Sequence, residues 1–99
     1  MKALYWTNHA KAKMRYYALS EQRVRRVLKT PSRIEEGIAE NTIALMQRAG
    51  SKKHPYEIWV MVADEKNRRK IVSAWRYPGI TKPGEPLPKE ILREFREVV

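Results

Sequence analysis

"YEIWVMVA", residues 56–63, is the most apolar run of the chain, and its reading decides the fold. Successive side chains of a strand point to opposite faces. Ile58, Val60 and Val62 therefore share one side, and Trp59 and Met61 share the other. A strand that is apolar on both sides belongs in the interior of a sheet, with both faces covered. Downstream, the charged connection "DEKNRR" (64–69) leads to a second strand, "KIVSAWRY" (70–77), which stops at Pro78-Gly79. Upstream, "RIEEGIA" (33–39) and "TIALMQR" (42–48) read as two shorter strands around a tight turn at Glu40-Asn41. The polar loop "AGSKKHP" (49–55) separates them from the central run.

The residues before this block have a different period. Ala10, Met14 and Tyr17 recur at helical spacing behind Thr7 or Asn8, either of which can cap a helix through its side-chain oxygen. Val24, Val27 and Leu28 form a second stripe behind a second cap, Ser20. Thr30-Pro31 closes that helix, because the residue before a proline is pushed out of the helical region. "MKALYW" (1–6) reads as a short lead-in or edge strand. After residue 77, a Pro- and Gly-rich linker (78–88) leads to an expected C-terminal helix (88–97) with Ile91, Leu92 and Phe95 on its buried side. The order predicts an α+β fold: two N-terminal helices on an antiparallel sheet of about four strands, plus the C-terminal helix, in a single domain spanning residues 1–99.

Charge is the strongest global signal. The chain has 99 residues, with 21 Lys and Arg against 11 acids, a formal net charge of +10 and a pI near 10.2. Such a surface repels itself unless an anion covers it, and a phosphate backbone is the first candidate. An anionic membrane surface or an acidic protein comes second. No apolar run approaches the ~20 residues of a membrane span. The start of the chain lacks the apolar core of a signal peptide, so the expected location is the cytoplasm. With no cysteine, disulfides, thiol catalysis and thiolate metal sites are excluded. No Gly-rich loop ends in Lys-Ser or Lys-Thr to cradle a triphosphate. His9 and His54 lack further ligands at metal spacing, and no cofactor or metal is expected.

Four constellations can carry chemistry. His9, Lys13 and Tyr16 lie four and seven residues apart, which lines them up on one helix face. An imidazole with an intrinsic pKa of roughly 6.5 can move a proton near neutral pH, and the lysine can hold a phosphate. In "AWRYPG" (74–79), Trp75 and Tyr77 face one way and Arg76 the other, so the rings can stack on bases while the guanidinium grips phosphate. The turn "EKNRRK" (65–70) gathers Lys66, Arg68, Arg69 and Lys70. On the second helix, Arg23, Arg25, Arg26 and Lys29 spread too widely for one stripe and read as diffuse phosphate attraction or a docking surface for an acidic protein.

"HAKAKMRYYALS" (9–20) followed by "RVRRVLKTPSRIEEG" (23–37) resembles a bacterial family of small domains of unknown function. That family's signature begins H-A-x-x-R-M-x-x-R-G-I-S and continues with a V-x-x-V-L helix and a Pro-containing break. It is grouped with BrnT and the RelE/ParE-like toxins of the barnase–EndoU–colicin–RelE class. The resemblance covers residues 7–37 by motif and 38–77 only by strand pattern. It implies a helix pair on an antiparallel sheet, ribonuclease activity of the kind toxin members have, and an antitoxin partner. The family histidine falls on His9. Its first arginine falls on Lys13, which loses the planar fork, its second on Tyr17, which loses the charge, and its Gly-Ile on Ala18-Leu19. In RelE-like toxins basic and aromatic residues of the late strands also take part, and Arg76 and Tyr77 stand loosely at such positions.

The combined expectation is an RNA-binding, toxin-like protein. As a metal-independent endoribonuclease of a toxin–antitoxin system it would use His9, Lys13, Arg76 and Tyr77 for catalysis. Tyr16, Arg68, Arg69, Lys70, Arg23 and Arg26 would hold the RNA. The expected partners are RNA, an acidic or amphipathic antitoxin, and a second copy of the chain, with no membrane. Two alternatives stay open: a non-catalytic nucleic-acid-binding module, and an interaction domain for acidic protein.

Overall fold

The computed structural model describes residues 2–84. Its elements run β1 (Ala3–Trp6), α1 (Asn8–Tyr16), α2 (Glu21–Lys29), β2 (Arg33–Glu36), β3 (Ile43–Gly50), β4 (Pro55–Asp64) and β5 (Arg68–Pro78). Each helix opens on a capping side chain. Thr7 accepts from the Ala10 amide at 3.0 Å, and Ser20 accepts from the Arg23 amide at 3.1 Å. These bonds satisfy amides that a helix start otherwise leaves without a partner. Between the helices Ala18 takes a left-handed conformation (φ 55°), and the Leu19 amide donates back to the Met14 carbonyl at 2.8 Å. This closes α1 and turns the chain into α2.

The sheet departs from the expected architecture. It has five strands in the order β1-β5-β4-β3-β2, and it is mixed. β2, β3, β4 and β5 form an antiparallel meander, but β1 pairs parallel to β5, with Ala3 opposite Arg68 and Trp6 opposite Ile71. Four residues of lead-in give no useful periodicity, and their partner lies some sixty positions away, so only the folded chain reveals this pairing. The expected helix at 88–97 and the linker beyond residue 84 lie outside the described residues.

Strand boundaries also move at two connections. β3 reaches Gly50 and β4 begins at Pro55, which shortens the expected loop 49–55 to residues 51–54. Gly50 has φ 82°, and a β-carbon there would lie 2.3 Å from the His54 carbonyl oxygen, so the tight turn requires glycine. The connection expected at 64–69 shrinks to residues 65–67, closed by the Glu65 amide donating to the Arg68 carbonyl at 2.8 Å. Arg68, Arg69 and Lys70 are thus strand residues.

Both faces of β4 are covered. On one side Ile58, Val60 and Val62 pack with Leu45, Ile71 and Ala74 against Ala10, Met14, Leu19, Val24 and Val27 of the helical layer. On the other, Trp59 and Met61 pack with Ala44, Met46 and Trp75. The Trp59 and Trp75 rings stack, 5.8 Å apart and nearly parallel. Buried Glu57 organises the polar part of this second face. It accepts from Trp59 Nε1 at 3.0 Å, from the Thr81 amide at 3.1 Å and from the Thr81 hydroxyl at 2.7 Å. Arg33 donates to the Thr81 carbonyl at 2.9 Å and its guanidinium lies over the Trp59 ring. A buried carboxylate is tolerated only when its acceptor sites are filled, and here Thr81 fills them, pinning the segment after β5 across the sheet.

α1 follows the part of β5 that β1 leaves unpaired. The Thr7 hydroxyl donates to the Ile71 carbonyl at 2.9 Å, and at the far end Arg76 Nη2 donates to the Tyr17 carbonyl at 3.1 Å. α2 lies over β3 and β4. Gln47 on β3 ties it down, donating to the Arg26 carbonyl at 3.0 Å and the Thr30 carbonyl at 2.9 Å.

Candidate functional site

α2 carries its cations on the helical face of the molecule. Val24 and Val27 are buried beneath it, Arg25, Arg26 and Lys29 are exposed, and Arg23 is half-buried beside Gln47, to which it donates. Arg76 reaches the same region from β5. Its guanidinium lies over the Tyr56 ring at 4.7 Å and donates to the carbonyl that ends α1, where the helix dipole favours a cation. Burial lowers the Arg23 pKa from its ordinary value, the charges of Arg26 and Arg76 push it the same way, and Tyr56 acts against them. Arg23 is thus close enough to Arg26 and to Arg76 to feel both charges. Among the described residues, no carboxylate forms an ion pair with Arg23, Arg25, Arg26, Lys29 or Arg76.

A cleft of about 690 Å³ opens on the other flank of α2, between that helix, β1 and the start of β5. Leu4 and Leu28 supply its apolar lining, and Lys2, Arg25, Lys29 and Arg69 its cations. Arg25 also lies over the Trp6 ring at 5.5 Å. One carboxylate, Asp64, stands among them.

The β4–β5 hairpin is different. Arg69 grips Asp64 through two bonds, at 2.7 and 3.0 Å, across the strand pair in which the two residues face each other. Lys2 approaches the same carboxylate at 3.8 Å. Arg68 bonds Glu65 and lies over the Tyr5 ring at 4.2 Å, while Lys70 comes within 3.9 Å of Glu65. The hydrogen bond from Arg69 holds the Asp64 carboxyl below its ordinary pKa, that from Arg68 does the same for Glu65, and the Asp64 bond raises Arg69. Arg68, Arg69 and Lys70, expected from sequence to be RNA contacts, therefore already have anionic partners.

The expected catalytic residues fall into three places. His9 and Lys13 lie one turn apart on α1, both half-buried, and Lys13 extends over the Tyr16 ring at 5.6 Å. Tyr16 itself is exposed and packs edge-on against Tyr17. Arg76 meets α1 at Tyr17, eight residues past His9, which is about 12 Å of helical rise. Tyr77 packs on the opposite face of the sheet with Trp59 and Trp75. The fold brings Arg76 to Arg23, which also feels Arg26, and it sets the backbone of His9 about two turns away and Tyr77 on the other face of the sheet. Sequence reading missed Tyr56, the platform under Arg76, and Lys2, which enters the cleft only through the parallel β1–β5 pairing. The alternation of β4 already carried a signal for Tyr56, since it places that residue on the same side as Ile58.

Among the described residues, no three His, Asp or Glu side chains gather as metal ligands, and no helix is long and apolar enough to cross a membrane. Comparison with family models, with curated proteins and with solved structures finds no match.

Proposed function

We propose that this protein binds RNA through its helical face. The observation that carries the reading is the group Arg23, Arg26 and Arg76: the charges of Arg26 and Arg76 both act on Arg23, Arg76 lies over the Tyr56 ring, and no carboxylate among the described residues pairs with any of the three. Mutually repelling cations held by the fold gain free energy when phosphates enter among them. Lys11 and Arg15 line a hollow between α1 and the start of α2 that also holds Glu21, and they add cations to the helical layer.

A catalytic form of this reading draws on His9 and Lys13, which stand one turn apart beside the unpaired part of β5. In metal-independent cleavage the imidazole takes the proton of the 2′-hydroxyl while a cation balances the charge growing on the phosphate.

The test is binding and cleavage of a structured RNA in the presence of chelator. Binding should weaken with salt at about 0.7 logarithmic units of affinity per logarithmic unit of salt for each phosphate contacted in a single strand. The variants Arg23→Gln and Arg76→Gln should each flatten that slope. Unchanged slopes in both, or no binding at low salt, would refute the proposal. Cleavage abolished by His9→Ala establishes the catalytic form, and intact RNA after prolonged incubation removes it while leaving binding in place.

A further inference from the structure

We infer that the cleft between β1, α2 and the start of β5 is a nucleotide pocket, distinct from the Arg23–Arg26–Arg76 group and set on the other flank of the same helix. The inference rests on the RNA-binding reading where the nucleotide belongs to an RNA strand, and a free nucleotide has the same chemistry.

The cleft's size, about 690 Å³, falls in the range that holds one small organic molecule. Its lining has three chemically separate parts. Leu4 and Leu28 offer an apolar surface on which a flat ring can lie. Arg25 and Lys29 come from one helical turn of α2, and neither is ion-paired to a carboxylate among the described residues, so both remain available to a phosphate. Asp64 is the third part. Two of its contacts go to Arg69 and Lys2 stands at 3.8 Å, and a carboxylate has about four acceptor positions, which leaves room for a donor from a ligand. Arg69 and Lys2 hold this carboxylate in place, and its remaining acceptor positions can take hydroxyl or amino groups of a ligand.

Inorganic phosphate would use only the cations, and a fatty anion would use the cations and leucines but give Asp64 no donor. A nucleotide uses all three parts: the base on Leu4 and Leu28, the phosphate between Arg25 and Lys29, and ribose hydroxyls or a base amino group toward Asp64. The Arg25 guanidinium is already oriented by the Trp6 ring beneath it, which lowers the ordering cost of binding.

Amide-resolved NMR titration of the full chain tests the inference. The probes are the four ribonucleoside 5′-monophosphates, ribose 5-phosphate, inorganic phosphate and a short single-stranded RNA. At least one nucleotide should bind at least about tenfold tighter than inorganic phosphate, with shifts centred on Leu4, Leu28 and Arg69. Lys29→Gln, an exposed change that leaves the fold intact, should weaken the nucleotide severalfold, whereas Arg48→Gln on β3 should not. Asp64→Ala should improve phosphate binding and erase the preference for nucleotide. Equal binding of phosphate and nucleotides, or shifts centred on Arg23 and Arg76, would overturn the inference. RNA that binds without moving the cleft amides would also overturn it, and would leave the RNA-binding proposal standing. Mononucleotides that fill the cleft while RNA fails to bind would support the pocket, assign it to free nucleotides and remove the RNA-binding proposal.

Discussion

Two short segments of this chain carry four cations each: Arg23, Arg25, Arg26 and Lys29 on α2, and Lys66, Arg68, Arg69 and Lys70 at the β4–β5 hairpin. In the sequence they look equivalent, but the fold treats them differently. Antiparallel pairing sets Arg69 opposite Asp64, and the tight connection brings Arg68 and Lys70 to Glu65, so three of the hairpin's four cations already stand beside a carboxylate. α2 has one acid, Glu21, in its first turn, where it complements the helix dipole and not the arginines a turn later. Positive charge left over after folding is what a polyanion can use, and of these two segments α2 keeps more of it, with Arg76 beside it. A count of lysines and arginines therefore overstates the hairpin and understates α2.

The largest expected effect tests this contrast directly. Replacing Arg23 and Arg26 together with Gln should lower RNA affinity about ten- to a hundredfold at low salt. Replacing Lys66 and Arg68 should cost less than about threefold, because Arg68 exchanges one anionic partner for another. Fluorescence anisotropy at matched ionic strength measures both, and equal losses would erase the distinction between the segments.

The next effect concerns how each segment is held. Gln47→Ala removes the bonds that tie Arg26, Thr30 and Arg23 to β3, and should destabilise the fold by about 1–2 kcal/mol in urea titration. Arg68→Gln breaks only an exposed pair and should cost less than about 1 kcal/mol. A reversal of this order would mean that the hairpin, not the helix anchor, sets stability.

A smaller effect should run in the opposite direction. Glu65→Gln releases Arg68 and Lys70 from their carboxylate and should strengthen RNA binding by about two- to fivefold, with a steeper dependence on salt. No gain would show that the hairpin lies off the RNA path altogether.

The smallest effect is the response to acid. Asp64 and Glu65 both titrate below their ordinary values in the folded chain. A depressed carboxyl pKa contributes stability that is present above the unfolded value, about 3.9 for Asp and 4.3 for Glu, and is lost as pH falls through the folded value. The hairpin pairs should thus survive at pH 5 and dissolve only below about pH 4. Carboxyl chemical shifts followed by NMR would read this, and titration at or above the ordinary values would contradict the pairing. α2 holds no such carboxylate pair, and its cations should show no matching transition.

Much of the fold was legible because local rules govern it. The alternation through Ile58, Val60 and Val62 against Trp59 and Met61 assigned both faces of β4, and both faces are buried as the pattern requires. Thr7 and Ser20 are caps in the structure, because capping depends on a side chain and an amide three residues on. The candidate site was legible only as residue types. That His9 and Arg76 sit about two helical turns apart, and that Tyr77 belongs with the stacked tryptophans on the second face, follow from where α1 meets β5, which no local pattern specifies. Glu57 was equally hidden, since within an apolar run nothing marks the residue to which Thr81 will return.

The sequence by itself determined the two helices, the Ser20 cap, the first cap to within Thr7 or Asn8, the two-sided character of β4 and the excess of positive charge, because each depends on residue type and on spacing of a few positions. Only the tertiary structure decided the parallel β1–β5 pairing, the cleft that depends on it, and which cations meet a carboxylate. Those outcomes rest on contacts between segments distant along the chain, where Coulomb attraction and strand register act only after the backbone has brought the charges within a few ångströms.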